Sequence, residues 1–334
     1  MGVTIRALAH KLNLSPSTVS QALNGKGSLR KETRERVRKT ARMMGYFIST
    51  DPFGVLPELS GRPMRVITSS SRKIEESWGT SMMVVKEISK CLEPYRMPVL
   101  LASDEQLLDD LPIDHLGTLV FGGFVSEDLH RPLRESKQPV VVIGSHVSSK
   151  EFCSVEPDAI TGMRMGISLL HSLGHSRIGF VNGPKTTLMS DMKLTGFVRG
   201  MFDHGLAAEY VVDSVGDHPD SRDRVRNLLS DSWHGLTAVI CAYEYIGALV
   251  IEEASQLGIS VPSQLSVISF CDEKPSNTTT PPLTTISIPL EKLARLAVSQ
   301  ILSLRMNSDF SGTRVVAAPE LVERGSTDRV HMTG

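Results

Sequence analysis

The 334-residue chain has only four cysteines, Cys91, Cys153, Cys241 and Cys271, and no two of them form a C-x-x-C pair. That spacing argues against a disulfide framework or a zinc site and reads as reduced, mostly buried thiols. No apolar run reaches the roughly 18 residues a membrane span needs, so no membrane partner is expected. The N-terminus lacks the apolar stretch of a secretory leader and opens directly into a patterned polar segment. The expected location is therefore cytoplasmic. Walker, H-E-x-x-H and G-x-S-x-G sequences are missing, as are Cys/His clusters with metal-ligand spacing. His171 and His175 lie four apart, but Gly174 between them ends any helix that would present both. No catalytic residue, metal site or cofactor is expected.

What is present is an ordinary globular composition, 40% apolar and 22% charged, on a chain long enough for two or three compact units. The formal net charge of −1 conceals an asymmetry. Residues 1–50 carry ten Lys/Arg against Glu32 and Glu35, a net of +8; the remainder carries 26 basic and 35 acidic residues, a net of −9. A basic head on an acidic body fits a polyanion-binding module attached to something else. A solvated basic helix gives the same count.

The head, residues 1–46, has helical punctuation. Thr4 can cap a helix from Ile5 to Leu12, in which Ile5, Leu8, Ala9 and Leu12 follow the i, i+3, i+4, i+7 spacing. Asn13 suits a turn, and Ser15-Pro16 is a cap followed by a first-turn proline. A second helix then runs to about Leu23, with Val19, Ala22 and Leu23 inward and Ser17, Thr18, Ser20 and Gln21 polar. A third, about Lys31 to Met44, buries Val37, Ala41 and Met44. Two short helices around a tight turn, the second with a small polar face, form a helix-turn-helix.

Pro52, Gly54, Pro57, Gly61 and Pro63 mark residues 47–63 as a linker. Asp51 can cap one turn from Pro52 to Leu56, beyond which Pro57 removes a backbone donor. From 64 to 334, strand-like and helical runs alternate. Candidate strands are Arg65–Thr68, Pro98–Ala102, Thr118–Phe121, Val140–Ile143, Arg177–Val181, Ala238–Cys241 and Ser266–Phe270. Candidate helices are Ser81–Leu92, Ala159–Leu173, Lys193–His204, Ser221–Leu229, Tyr245–Leu257 and Leu290–Arg305. The alternation predicts an α/β body of two lobes with doubly wound parallel sheets, binding ligand in the cleft at the strands' carboxyl ends.

The head string Val3-Thr4-Ile5-Arg6-Ala7-Leu8-Ala9, then Leu14-Ser15-Pro16-Ser17-Thr18-Val19-Ser20-Gln21-Ala22-Leu23-Asn24, ending at Gly45-Tyr46, resembles the DNA-binding head of the lactose-repressor (LacI/GalR) family. The resemblance continues through Leu173-Gly174-His175-Ser176-Arg177-Ile178-Gly179-Phe180 and Leu257-Gly258-Ile259-Ser260-Val261-Pro262 to Pro319-Glu320-Leu321-Val322-Glu323-Arg324-Gly325-Ser326. It implies a three-helix head, a hinge and a periplasmic-binding-protein-like sensor. It further implies a homodimer on pseudo-palindromic double-stranded operator DNA, acting as a repressor controlled by a carbohydrate or related polar effector.

Carried over by position, Pro16, Ser17 and Gln21 face base edges, while Thr4, Ser15, Ser20, Asn24 and Thr33 hold phosphates. The chemistry agrees: glutamine can make two hydrogen bonds to adenine, serine can serve several bases, and hydroxyls position the backbone. Leu56 is the implied minor-groove wedge, with Val55 the alternative, although the family's residues before that leucine are replaced here. The implied effector residues are Trp78, in the loop after the first strand, with Lys193, Tyr243, Glu244 and Asp272. At several of these the chain departs from the family: Lys193 stands for an arginine, Tyr243-Glu244 for an Asn-Asp pair, and Ser269-Phe270-Cys271-Asp272 for a Gly-aromatic-Asp-Asp turn. Those changes count against an ordinary sugar and favour an anionic or strongly polar group beside a ring. Two other readings remain. One is a solute-binding or sugar-processing protein on the same fold, which the basic head and missing leader oppose. The other is a regulator that answers only a protein partner.

Overall fold

The computed structural model describes residues 4–23, 29–44, 59–68, 78–103, 114–121, 127–135, 138–144, 152–184, 188–213, 219–231, 235–270, 279–306 and 312–330. The chain divides into two compact units, Met1–Arg62 and Pro63–Gly334.

The first unit holds α1 (Ile5–Leu12), α2 (Pro16–Leu23) and α3 (Lys31–Met43). Thr4 Oγ1 accepts the Ala7 N–H at 3.2 Å, satisfying one of the donors left open at the start of α1. Asn13 adopts the left-handed conformation (φ 54°) that ends α1, and the Leu14 N–H then donates back to the Ala9 carbonyl at 3.0 Å. Leu8, Ala9, Val19, Ala22, Leu23, Val37 and Ala41 are buried together, with Ile5, Leu12, Leu14, Leu29 and Met44 packed around them. Each expected inward residue thus enters one core. Met44 lies one residue past α3 and is half-buried. Residues 45–58, including the expected turn at Pro52 to Leu56, lie outside the described residues, as does Asn24.

The second unit runs β1 (Met64–Thr68), α4 (Trp78–Leu92), β2 (Val99–Ser103), β3 (Thr118–Phe121), α5 (Glu127–Glu135), β4 (Val140–Ile143), β5 (Cys153–Pro157), α6 (Ala159–Ser172), β6 (Ile178–Asn182) and α7 (Leu188–Asp203). It continues through β7 (Val211–Asp213), α8 (Pro219–Asp231), β8 (Ala238–Cys241), α9 (Glu244–Gln256), β9 (Ser266–Phe270), β10 (Thr284–Ser287), α10 (Leu290–Met306), β11 (Arg314–Ala317) and β12 (Glu320–Val322). These strands form two six-stranded sheets, ordered β11-β5-β4-β3-β1-β2 and β12-β10-β9-β8-β6-β7. All pairings are parallel except β10 with β12. Parallel neighbours need crossover helices, which bury both sheet faces. β1, β4, β6, β8 and β9 accordingly read as apolar runs.

Each sheet defines a lobe. The chain passes between them three times: at Asp158 after β5, at residues 288–289 before α10, and at residues 318–319 between β11 and β12. At the first passage Asp158 caps α6, its Oδ1 accepting the Thr161 N–H at 2.9 Å.

Sequence patterning misses β5, β7, β10, β11, β12 and α5. β5 carries a buried glutamate, Glu156, which Arg314 of β11 neutralises as an ion pair. β10 is rich in hydroxyls, which tie it to the C-terminal segment: Thr284 Oγ1 meets Thr327 Oγ1 at 2.9 Å. Pro132 lies inside α5 and interrupts the helical signal. β7 and β12 are three residues each, too short for alternation to register. Trp78, expected in a loop, instead begins α4.

The C-terminal segment is stitched into lobe two. Ser326 Oγ donates to the Val267 carbonyl at 2.6 Å, and the Thr284 N–H donates to Ser326 Oγ at 2.8 Å. Val267 N–H also reaches the Ser326 carbonyl at 2.8 Å. His175 completes the seam: it is buried, with Nδ1 2.9 Å from Thr237 Oγ1 and Nε2 3.0 Å from the Asp328 carbonyl. A carbonyl only accepts, so Nε2 carries the hydrogen, and Nδ1 of the neutral ring accepts from Thr237. His171, by contrast, stacks on His204 at 4.3 Å, so the two histidines do different things.

Burial holds the His175 pKa below its usual 6.5. The unfolded chain therefore binds more protons between the folded value and 6.5, and stability falls as the pH drops through that window. Each unit of difference is about 1.4 kcal/mol. In urea unfolding at descending pH, His175→Gln should lose stability less steeply than the parent below pH 6.5; an identical slope would place the acid sensitivity elsewhere.

Candidate functional site

Two places in the chain gather the expected functional residues. The first is the outer face of α2. Ser15 Oγ accepts the Thr18 N–H at 3.0 Å and lies 2.8 Å from Ser17 Oγ and 2.7 Å from Thr18 Oγ1. One hydroxyl thus caps the helix and fixes its neighbours. Pro16, Ser17 and Gln21 are exposed on the side opposite buried Val19, Ala22 and Leu23, with half-buried Ser20 beside them. Thr4 caps α1, and Thr33 is half-buried in the first turn of α3. Lys31, Arg36 and Lys39 are exposed on α3, whose six Lys/Arg outnumber Glu32 and Glu35, although Glu35 lies 4.0 Å from Lys31. Short hydrogen-bonding side chains at a capped helix start, framed by basic residues, can enter a DNA groove and hold its phosphates.

The second place is the carboxyl end of the lobe-two sheet, where β6, β8 and β9 finish at Asn182, Cys241 and Phe270. Lys193, on α7, is 1% exposed. Its Nζ donates to the Ala242 carbonyl at 2.6 Å and lies 3.9 Å from the Tyr243 ring centroid and 4.6 Å from that of Phe270. A desolvated ammonium between ring faces is held by their quadrupoles. Tyr243 is extended (φ −143°) just before α9, and its ring is 5.7 Å from that of Tyr245. Glu244 is buried in the first turn of α9, where the helix dipole favours a carboxylate. Gly183 follows β6, and a Cβ there would fall 2.5 Å from Tyr243 Cε2 and 2.8 Å from Ser190 Oγ. Only a bare backbone lets the ring lie so close.

The structure therefore brings Lys193, Tyr243 and Glu244 together, with the ammonium beneath the tyrosine ring. Trp78 belongs to the other lobe, and its side chain lies outside the described residues, as does Asp272. Phe270, the Ala242 carbonyl and Gly183 were not expected as site residues. A backbone carbonyl leaves no mark in a sequence, and Phe270 reads as strand core. Burial raises the pKa of Cys241, at the end of β8, so it stays a thiol and offers no nucleophile. Among the described residues no group of three His, Cys, Asp or Glu could hold a metal, and no helix is long and apolar enough to cross a membrane.

A helix-turn-helix head joined to a two-lobed α/β body defines a DNA-binding regulator with a sensor-type domain. Comparison with known proteins agrees on both parts. Residues 4–48 match the bacterial regulatory proteins of the lacI family, and residues 167–327 match the periplasmic binding protein-like domain. The chain is 29% identical to the HTH-type transcriptional regulator MalR of Streptomyces coelicolor, over 98% of this chain and 97% of that one. It is 26% identical to the HTH-type transcriptional repressor CytR of Escherichia coli, over 97% and 96%. Its fold matches a lac repressor dimer bound to operator and the anti-inducer ONPF, with a TM-score of 0.68 at 19% identity, over 98% of this chain and all of that one. The chain thus joins a lacI-family DNA-binding domain to a periplasmic binding protein-like domain, and the relatives it is similar to are named as transcriptional regulators.

Gly183→Ala tests the packing at the strand ends. The added methyl must displace the Tyr243 ring, and overpacking of this kind costs roughly 1–3 kcal/mol. A urea midpoint within error of the parent would mean that the ring is not seated on Gly183.

Proposed function

We propose that the protein is a repressor that binds a pseudo-palindromic operator as a homodimer and is released or engaged by a small polar effector. Residues 1–46 read DNA, residues 47–63 act as a hinge, and residues 64–334 sense the effector and dimerise. The carrying observation is the face of α2, where Pro16, Ser17 and Gln21 stand exposed beside a Ser15-capped helix start. The names of CytR and of the operator-bound lac repressor dimer support the same reading. One head offers too few base contacts for useful selectivity, and two-fold protein symmetry maps onto two-fold DNA symmetry. Exposed Met82 on α4 and Leu101 on β2, an edge strand, offer apolar surface for the second copy. The body binds its ligand without transforming it, and the protein works in the cytoplasm, where an operator is found.

Gln21→Ala should relax base preference at one position in each half-site, costing about 1–3 kcal/mol per contact. Footprinting and competition with operator variants read this out. Equal loss on specific and random DNA would make Gln21 a backbone contact, and protection of one asymmetric half-site would remove the dimer.

The effector enters beside Tyr243, Glu244, Trp78 and Asp272, and its ring stacks on the tyrosine face that Lys193 supports from below. Thermal-shift titration against sugars, sugar phosphates and nucleosides should find a ligand that raises the melting temperature. Tyr243→Ala should abolish that rise while leaving operator affinity of the free protein unchanged. An undiminished rise in the variant would move the effector elsewhere.

A further inference from the structure

The end of lobe one where its strands begin holds a charge arrangement that neither DNA binding nor the proposed effector site uses. Arg65 is the second residue of β1 and 8% exposed. Its Nε donates to Thr118 Oγ1 at 3.0 Å, the residue opposite it in the β1–β3 register. Among the described residues no carboxylate pairs with this guanidinium. Arginine cannot escape burial by losing its proton, and a buried charge without a counter-charge is costly. Burial lowers the Arg65 pKa accordingly.

Beside it stands His115, 6% exposed, whose Nδ1 is buried and has no hydrogen-bond partner. The other charges facing the ring are Asp114, which precedes β3, and Arg305 at the end of α10. Those two offset one another: Arg305 lies 3.6 Å from Asp114 and also donates to Gln138 Oε1 at 2.8 Å and to the His115 carbonyl at 3.3 Å. The Arg65 charge is left over. Burial first, then the Arg65 and Arg305 charges, hold the His115 ring neutral by lowering its pKa from 6.5, with Asp114 and a backbone hydrogen bond at Gly117 opposing. A neutral ring beside an unmatched guanidinium is one proton and one anion short of a satisfied site.

We propose that Arg65 and His115 form a binding site for a small oxyanion, of which sulfate is the representative, at the strand-start end of lobe one. The oxyanion accepts from the guanidinium N–H groups that Thr118 leaves open and from His115 Nδ1. For Nδ1 to donate, one proton moves from solvent to the ring as the anion binds. Binding is therefore tighter in acid, by up to about tenfold per pH unit above the ring's folded pKa. The site adjoins the first residue of the body, where the Leu116 N–H donates to the Pro63 carbonyl at 2.9 Å.

The test is calorimetric titration of the full chain at pH 6 and pH 8 with sulfate, which stays a dianion across that range, chloride keeping the ionic strength constant. Two buffers of different ionisation enthalpy report proton uptake. The expected result is binding at pH 6 that is at least about tenfold weaker at pH 8, with close to one proton taken up. Arg65→Met should lose sulfate binding yet melt no lower than the parent, since it removes an unmatched charge; Arg65→Gln, which keeps a polar contact to Thr118, should lose binding in the same way. His115→Gln should bind with little pH dependence. Equal sulfate binding in Arg65→Gln and parent would overturn the site, as would no binding by the parent. Should the parent ignore free sulfate while Arg65→Gln loses operator affinity and flattens its salt slope by about one unit, the anion is a DNA phosphate and the small-oxyanion site is wrong.

Discussion

Burial of both faces of two parallel sheets is the constraint on which residues 63–334 depend. Parallel strands cannot be joined by tight turns, so helices must return across each face, and the covered strands lose contact with water. Every polar group that stays in such a sheet then needs a partner from the protein. The chain meets this demand at several points. Glu156 takes Arg314 from the neighbouring strand, and Thr284 takes Ser326, Thr327 and the Arg324 N–H from the C-terminal segment. Asn182 Oδ1 turns back onto the Gly183 N–H at 2.8 Å. Glu253, buried on α9, is gripped by Arg222 and Arg226 of α8, which ties those two helices together beside the sheet.

The same constraint explains why Lys193 differs from an ordinary cleft lysine. α7 covers the lobe-two sheet near its carboxyl end, so a long side chain on its inner face has nowhere wet to go. The ammonium donates to the Ala242 carbonyl and lies over two ring faces, groups that favour a cation. Tyr243 is thereby braced from below and from the Gly183 side. The head works by a different economy. Its core is seven buried residues, and hydroxyl caps at Thr4 and Ser15 set the starts of its first two helices.

The fold was legible in the sequence wherever the signal was local. Thr4, Asn13 and Ser15-Pro16 announce helix ends through chemistry that acts within four residues, and the observed caps are those residues. Thr118–Phe121, Val140–Ile143, Ala238–Cys241 and Ser266–Phe270 are apolar because both faces are covered, and their observed limits match the pattern. What was not legible depends on distant partners. β5 looks polar until Arg314, 158 residues later, neutralises Glu156. β10 looks like a loop until the C-terminal segment bonds its hydroxyls. At the lobe-two strand ends, residue types pointed to Lys193, Tyr243 and Glu244, but the backbone carbonyl and the bare glycine that arrange them carry no side-chain signature.

The three passages between lobes bear on how the protein is made. Lobe one is not a continuous stretch: its edge strand β11 and its covering helix α10 arrive only after lobe two has been threaded through. On the ribosome, domains fold as their residues emerge, N-terminal ones first. The head has all its core residues by position 44. The first lobe has to wait for residue 317 before its sheet is complete. A nascent or truncated chain therefore carries a finished DNA-reading head on an unfinished sensor, so that ability to touch DNA precedes, in the life of each molecule, any ability to answer a signal.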